Sequence, residues 1–347
     1  MTAKNPTERN QRVFEPDGKS GNVTFWDWKT GERLSGPVPL PSEPRGLAFR
    51  PNGRMLAVVC ADYRVVLVDP RTGTITHNLD PGVRSRPGNA NFWWSNGEAR
   101  FSPDGRFLAT WEMSSSVHVW NPDKGELLYT LAHNERQEGV FFNPVEPALM
   151  ATGGRDSLVR IWDLRTGKLS VGLPHPGWAG GRMQFTRDGS ELVTASGNML
   201  FVWDTREGKL KEGIPHGAMD IHLTADQRWL VALTGEFQVT DWRTKTPAGP
   251  PWKTRGGLNL ALVIPAGDRR VIVGGFSGTL VGYDLETMVR PTAAPAEDLV
   301  QFAEVVAGRR ILSQGRVVPL SSAEWAERWQ RLQRDGSPLL PGSPGAQ

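Results

Sequence analysis

Cysteine, tyrosine and long apolar runs are scarce in this chain of 347 residues. Cys60 is the only cysteine, which excludes an internal disulfide and any multi-cysteine zinc site. No window approaches the roughly 18 apolar residues of a membrane-spanning helix, and the first residues hold no apolar segment of signal-peptide length. We therefore expect a cytoplasmic protein that has no membrane partner, no metal and no cofactor.

Charge of one sign is also scarce. The chain has 40 Lys and Arg residues against 37 Asp and Glu residues, a formal net charge of +3, which is too weak to predict a nucleic-acid partner. Hydrophobic residues make up 38% of the chain, so it is neither disordered nor a coiled coil. Glycine, proline and tryptophan are abundant, at 39, 27 and 14 residues, which favours a repeated β architecture with many turns.

One pattern recurs along the chain: a β-forming segment that ends in an aromatic or β-branched residue, followed by Asp or Asn. Its last residues recur with a period of about 42, at Asp27, Asp69, Asn121, Asp163, Asp204, Asp241 and Asp284. A glycine follows four residues after each of the first five, where a tight turn needs a positive φ. Lys245 and Met288 take that place in the last two repeats, so we expect those two turns to differ.

A second pattern, a variant of Phe-x-Pro-Asp-Gly, stands about 20 residues before the Asp. Clear copies begin at Phe49, Phe101 and Phe185, and each predicts a strand, a turn and a strand. Further β-forming residues follow, so each repeat holds four short strands. Four strands in about 42 residues correspond to one propeller blade.

Over roughly residues 20–292, these patterns resemble those of the WD-repeat β-propellers. The resemblance implies an all-β propeller of four-stranded blades, and we favour seven: six complete and one partial. In that family each blade holds a structural hydrogen-bonded set of His, Ser or Thr, Asp and Trp. Here the complete set is His133, Thr152, Asp156 and Trp162. The set implies a structural role rather than catalysis, so we assign no catalytic residue.

The N-terminal repeat is about one strand shorter than the others, which would leave unpaired edges in a closed ring. We predict that a C-terminal strand, from Ile311 to Val318, completes it. The alternative is that the chain is the tail of a longer array. The domains expected are a disordered start over residues 1–11, the propeller over residues 12–292, an extension over residues 293–334 and a disordered tail over residues 335–347.

The extension is predicted to hold two short helices that pack on or close the propeller. Apolar residues from Leu299 to Val306 follow a helical period, and a capping box at Ser321 begins a second helix with Trp325 and Trp329 on one face. Helix, hairpin and helix extensions of this kind resemble those that end bacterial WD-repeat arrays, some of them attached to serine/threonine kinases.

Several tryptophans and arginines fall in, or close to, the loops of one propeller face. Such residues form the usual energetic centre of an interface, although they could instead pack on neighbouring loops and seal the channel. If the face binds, we expect an acidic or phosphorylated peptide, because Arg pairs well with carboxylate and phosphate. The candidate binding residues are Arg84, Arg86, Trp93, Trp94, Arg155, Trp178 and Trp252, with Arg182 close by.

The function expected is a non-catalytic scaffold that binds a protein or peptide, and we expect a monomer. The alternative is a detached regulatory or sensor propeller of a serine/threonine-kinase-type signalling protein. A small-molecule hydrolase or lactonase in the central channel is less favoured. Inner-strand segments such as residues 46–49 are apolar, and Asp220 and His222 are the main polar exceptions.

Overall fold

In the computed structural model, the chain forms two compact units, Met1–Leu285 and Glu286–Gln347. No described helix is both long and apolar enough to cross a membrane. The structure describes residues 21–27, 30–82, 98–111, 115–178, 182–215, 218, 220–224, 226–233, 236–249, 252–253, 259–263, 270–275, 280–285, 309–311 and 317–334.

The first unit consists of consecutive antiparallel sheets, each made from one stretch of chain. Sheet 1 comprises β1 (Asn22–Trp26) and β2 (Arg33–Pro39). Sheet 2 comprises β3 (Pro44–Phe49), β4 (Leu56–Cys60), β5 (Val65–Asp69) and β6 (Thr74–Leu79). Sheet 3 comprises β7 (Glu98–Phe101), β8 (Leu108–Trp111), β9 (Ser116–Asn121) and β10 (Glu126–Ala132).

The remaining sheets of the first unit repeat this order. Sheet 4 comprises β11 (Gln137–Phe142), β12 (Leu149–Gly154), β13 (Leu158–Asp163) and β14 (Lys168–Pro174). Sheet 5 comprises β15 (Met183–Phe185), β16 (Glu191–Ser196), β17 (Met199–Asp204) and β18 (Leu210–Pro215). Sheet 6 comprises β19 (Asp220–Leu223), β20 (Trp229–Leu233), β21 (Glu236–Asp241), β22 (Thr246–Pro247) and β23 (Trp252–Lys253). Sheet 7 comprises β24 (Asn259–Val263), β25 (Arg270–Gly275) and β26 (Leu280–Asp284).

The hydrophobic core lies between neighbouring sheets. Alternate residues of β4 face opposite ways: Leu56 and Val58 join a cluster with sheet 1, whereas Ala57 and Val59 join a cluster with sheet 3. Three more clusters join sheets 3 and 4, sheets 4 and 5, and sheets 5 and 6. A strand that is apolar on both faces is therefore buried between two neighbours, as the repeated blade pattern predicts.

The first strand of each sheet contacts the first strand of the next, from β3 through β7, β11, β15 and β19 to β24. The third strands carry equivalent tryptophans, since Trp120, Trp162 and Trp203 each donate a hydrogen bond to a threonine of the second strand. The fold class is thus all-β with four-stranded sheets, consistent with a WD-type propeller. A closed ring of seven blades stays a prediction.

One turn and one strand differ from the sequence-based expectation. The turn at Lys245 does not differ from its glycine counterparts: Lys245 adopts a φ of 58° and its N–H donates to the Asp241 carbonyl at 2.8 Å, as Gly167 does to Asp163. Trp252 lies in the short strand β23, which pairs with β21, rather than in a loop. The turn at Met288 lies outside the described residues.

The second unit contains two short strands in and around the segment from Ile311 to Val318, where a C-terminal strand was predicted. β27 (Arg309–Ile311) and β28 (Val317–Pro319) pair with one another in antiparallel register. The helix α1 (Ser322–Arg334) begins with the predicted capping box, in which Ser321 Oγ accepts from the Glu324 N–H at 3.3 Å. The helix predicted over residues 299–306 lies outside the described residues.

Candidate interaction site

The four residues of the structural set meet inside sheet 4. Thr152 Oγ1 lies 2.9 Å from His133 Nε2 and accepts a hydrogen bond from Trp162 Nε1 at 2.7 Å. Asp156 Oδ2 lies 3.8 Å from His133 Nδ1, beyond hydrogen-bond distance. All four side chains are packed into the sheet, so the set positions β12 and β13 and offers no open site for a substrate.

Arg160 stands between the histidine and the aspartate. Its Nη1 lies 2.9 Å from His133 Nδ1 and 2.7 Å from Asp156 Oδ2. Because a guanidinium can only donate, Nδ1 accepts and the His133 proton resides on Nε2, from which it is donated to Thr152. Burial and the neighbouring Arg160 charge lower the pKa of His133 to about 4, against the smaller opposing effect of Asp156.

Sheet 5 repeats this arrangement with the opposite tautomer. His175 Nδ1 lies 2.9 Å from the Leu173 carbonyl oxygen, so it carries the proton, and Nε2 accepts from Thr194 Oγ1 at 2.7 Å. Trp203 Nε1 also donates to Thr194, at 3.0 Å. Burial lowers the pKa of His175, which favours the neutral ring. The same packing role in two sheets argues that these histidines are structural.

The described candidate for binding is a cluster that we call the Arg–Trp cluster, formed by Arg136, Glu138, Arg155, Trp178 and Arg182. The guanidinium carbons of Arg155 and Arg182 lie 4.9 Å and 5.5 Å from the centre of the Trp178 ring. These distances are in the range of favourable cation–π contacts. The Trp178 residue nevertheless remains 44% exposed, so the ring is held in place and still accessible.

Glu138 orients the arginines of the cluster from the start of β11. Its carboxylate accepts from Arg155 Nε at 2.8 Å and lies 3.5 Å from Arg136 Nε. Burial lowers the pKa of Arg136; Glu138 opposes that shift, and the Arg155 charge adds to it. Burial also lowers the pKa of Arg182, whereas Glu138 and Asp220 oppose that shift. Three arginines thus face two carboxylates, those of Glu138 and Asp220, which leaves an excess of positive charge.

The structure brings together only part of the predicted face. Arg155, Trp178 and Arg182 meet as expected in one place, whereas Arg136 and Glu138 were not assigned to it from the sequence. The sequence feature that could have identified Arg136 and Glu138 is their position at the start of the inner strand β11, directly after the loop that connects it to sheet 3. The side chain of Trp252 is not described, and Arg84, Arg86, Trp93 and Trp94 lie outside the described residues.

The inner strands are more polar than the sequence-based interpretation held. Arg100 on β7 donates to the Val140 carbonyl of β11 at 2.7 Å. Gln184 on β15 accepts from the Leu223 N–H of β19 at 2.7 Å. These side chains reach the unpaired backbone groups of the next sheet's first strand, a position that needs polar partners. No group of three or more described His, Cys, Asp or Glu residues could hold a metal ion.

Two family models match parts of the chain. Residues 40–93 match the anaphase-promoting complex subunit 4 WD40 domain, and residues 125–163 match the WD domain, G-beta repeat. The second match covers β10 and the strands of sheet 4 up to the Asp163 that ends β13. The first match contains the four strands of sheet 2.

Curated relatives also match parts of the chain. An uncharacterized WD repeat-containing protein of Synechocystis sp. is 28% identical over 151 residues, which is 43% of this chain and 40% of the relative. Eukaryotic translation initiation factor 3 subunit I of Aspergillus oryzae is 33% identical over 101 residues, 28% of this chain and 29% of the relative. GATOR2 complex protein WDR24 of Xenopus laevis is 37% identical over 65 residues, 18% of this chain and 8% of the relative.

The chain therefore spans less than half the length of these relatives. Together with the family models, they support a WD-repeat family for this chain. WD40 repeats suggest a protein-interaction scaffold, and proteins with such repeats are generally non-catalytic.

Proposed function

We propose that this chain is a non-catalytic scaffold that binds an acidic segment of a protein partner at the Arg–Trp cluster. The observation that carries the proposal is the accessible Trp178 ring, which is held by two guanidiniums at 4.9 Å and 5.5 Å. An exposed ring that is already ordered loses little conformational entropy when a partner covers it. Tryptophan and arginine are also the residues that most often dominate binding energy at interfaces.

The charge of the cluster argues for an acidic partner. Arg136 and Arg155 share the carboxylate of Glu138, and Arg182 lies near the carboxylates of Glu138 and Asp220, so three guanidiniums face two carboxylates. The Arg155 side chain uses Nε for Glu138 and makes no other hydrogen bond with the described residues, so its two terminal nitrogens can donate to a partner. A carboxylate or phosphate group matches that planar pair of donors. A rigid sheet edge beneath the cluster keeps these donors in position.

Affinity purification with matched variants tests the proposal. Wild type, Trp178→Ala/Arg155→Gln and Arg165→Gln are used as baits; Arg165 is exposed and lies on a β13–β14 turn, away from the cluster. We expect a partner that wild type and the Arg165 variant recover and that the cluster variant loses. Equal recovery by all three baits would contradict the proposed site. Selective recovery of a serine/threonine kinase would favour the regulatory alternative.

The acidic character of the partner has its own measurement. Binding of the recovered partner is compared, at two salt concentrations, with binding of a version whose Asp and Glu carboxyl groups are converted to amides. We expect weaker binding after amidation and at higher salt, because exposed charge pairs are screened. Binding that is independent of both changes would remove the electrostatic part of the proposal and leave only the apolar Trp178 contact.

A further inference from the structure

Arg136 and Arg155, two arginines of the Arg–Trp cluster, come from different segments of sheet 4. Arg136 directly precedes β11, and Arg155 directly follows β12. The two segments are joined by their backbone, since the Arg155 N–H donates to the Arg136 carbonyl oxygen at 3.0 Å. The two guanidiniums therefore start from adjacent points of one sheet, and this contact sets the distance between them.

Gly154, at the end of β12, makes this approach possible. An ideal Cβ on Gly154 would lie 2.5 Å from the Arg136 carbonyl oxygen and 3.3 Å from the Gln137 Cα. The φ of Gly154 lies outside the left-handed region, so the close approach, and not the backbone conformation, requires glycine. A side chain at this position would push the start of β11 away from the end of β12.

The close approach is particular to sheet 4, because sheet 2 has the same backbone bond without a glycine. Cys60 ends β4 as Gly154 ends β12. The Ala61 N–H, which follows Cys60, donates to the Glu43 carbonyl oxygen at 2.7 Å. The shared fold thus accommodates a Cβ at this position. In sheet 4 the two segments come closer than the fold requires, at the place where the Arg–Trp cluster lies.

Glu138 is the extra residue of a β-bulge at the same place. The pairing register of β11 with β12 shifts between Gln137 and Gly139, and such a bulge redirects the side chain of the inserted residue. The Glu138 carboxylate lies 2.8 Å from Arg155 Nε and 3.5 Å from Arg136 Nε. The bulge therefore places one carboxylate beside both arginines, whose separation the backbone contact fixes.

A buried ion pair connects the same two segments a second time. Asp156, which follows Arg155, accepts through Oδ2 from the Asn134 N–H at 3.2 Å, and the same oxygen lies 2.7 Å from Arg160 Nη1. The Asp156 and Arg160 side chains are 4% and 8% exposed. Because Asn134 belongs to the segment that carries Arg136, the side chain of Asp156 repeats the connection that the backbone makes.

We propose that Gly154 and Asp156 are positioning residues of the Arg–Trp cluster. They fix Arg136 and Arg155 relative to one another, and so relative to the Trp178 ring, before a partner arrives. The consequence for a partner rests on the proposed function, whereas the positioning itself does not. Arginines that are already in place lose less conformational entropy on binding, so the affinity for a partner depends on Gly154 and Asp156 as well as on the arginines.

Fluorine NMR of the full chain labelled with 5-fluorotryptophan tests the positioning without a partner, and Trp178→Phe assigns the Trp178 resonance. Gly154→Ala should shift this resonance more than those of the other tryptophans, because Arg155 moves relative to the ring. Gly172→Ala is the matched control in the same sheet. A Cβ at Gly172 would lie 3.5 Å from the nearest Leu158 carbon, an ordinary contact, so the Trp178 resonance should stay in place.

Asp156→Asn is the second variant. It keeps an acceptor for the Asn134 N–H and loses the charge that faces Arg160, so the Trp178 resonance should shift here as well. An unchanged Trp178 resonance in both variants would overturn the inference. Loss of the folded spectrum in both would also overturn it, because Gly154 and Asp156 would then serve the stability of sheet 4 alone.

Affinity measurements with the partner recovered by wild type separate this inference from the proposed function. Gly154→Ala keeps every charge and side chain of the cluster, so a loss of affinity of about tenfold or more would come from their position. Gly172→Ala should bind as wild type does. A shifted Trp178 resonance with unchanged affinity would support the positioning and contradict the proposed binding site.

Discussion

A single hydroxyl, Thr152 Oγ1, accepts hydrogen bonds from both His133 and Trp162. Thr152→Val keeps the shape of the side chain and leaves two buried N–H donors without an acceptor. We expect the free energy of unfolding to fall by about 2 to 4 kcal/mol. Thr166→Val, on an exposed turn, should change it by less than about 0.5 kcal/mol. Chemical denaturation of both variants measures the difference, and equal losses would show that the buried set contributes nothing.

His133 makes the stability of the first unit depend on pH. Its pKa is about 4 in the folded protein and about 6.5 in an unfolded chain, so the unfolded chain binds more protons between these values. Stability should therefore be constant above pH 6.5 and fall as the pH drops from 6.5 towards 4, by up to about 3 kcal/mol. The burial that lowers the pKa values of His118 and His175 acts in the same direction.

Denaturation curves between pH 4 and pH 8 measure this slope, with His133→Gln as the comparison. The variant should show a shallower fall, because it removes the largest titrating contribution. An unchanged slope in His133→Gln would assign the acid sensitivity to other groups.

Sequence patterns could predict which residues share a blade position, because Thr152 and Trp162 recur in register with Thr194 and Trp203. They could not predict that Arg160 enters between His133 and Asp156. Val66, His118 and Phe201 occupy the corresponding position in other sheets, so the position carries no repeated signal. A long side chain at a variable position is placed by its local neighbours, which a repeat pattern does not contain.

At the level of single elements, the turns that precede the last strand of sheet 1 and of sheet 4 allow a matched comparison. Gly31 and Gly167 adopt φ values of 72° and 69°. A Cβ at Gly31 would meet nothing within 4 Å, whereas a Cβ at Gly167 would lie 2.3 Å from the Tyr129 ring. Gly31→Ala should cost only the left-handed backbone strain, about 1 kcal/mol, and Gly167→Ala clearly more. Thermal denaturation of both variants measures the contrast, and equal losses would mean that Tyr129 moves aside freely.

The element scale also shows where prediction from sequence failed. A positive φ favours glycine, but Lys245 adopts it because the Asp241 side chain and carbonyl hold three successive N–H groups of the turn. The expectation that this turn differs was therefore wrong. Likewise, apolar segments predicted apolar inner strands, while Arg100 and Gln184 lie there because edge strands need partners for their free backbone groups.

For the whole molecule, each hydrophobic cluster belongs to two sheets at once. Met150 is fully buried in the cluster between sheets 3 and 4. Met150→Ala should lower the free energy of unfolding by about 3 kcal/mol, and Met199→Ala, at a half-buried residue beside the next cluster, by clearly less. In the Met150→Ala variant, the backbone amides of sheets 3 and 4 should exchange hydrogen faster than in wild type, whereas those of distant sheets should change less. Uniform acceleration everywhere would show that the sheets unfold only together.

The strand pairing of the first unit has a consequence for how such a chain changes over generations. In the described part of the chain, each sheet is built from one continuous stretch of about forty residues, and no strand pairing joins two sheets. A tandem duplication or deletion of one such segment in the gene would preserve the strand pairing inside every other sheet. Only the apolar contact between the sheets on either side of the change would be replaced. Variation in copy number is thus accessible in single genetic events, without a redesign of the remaining units.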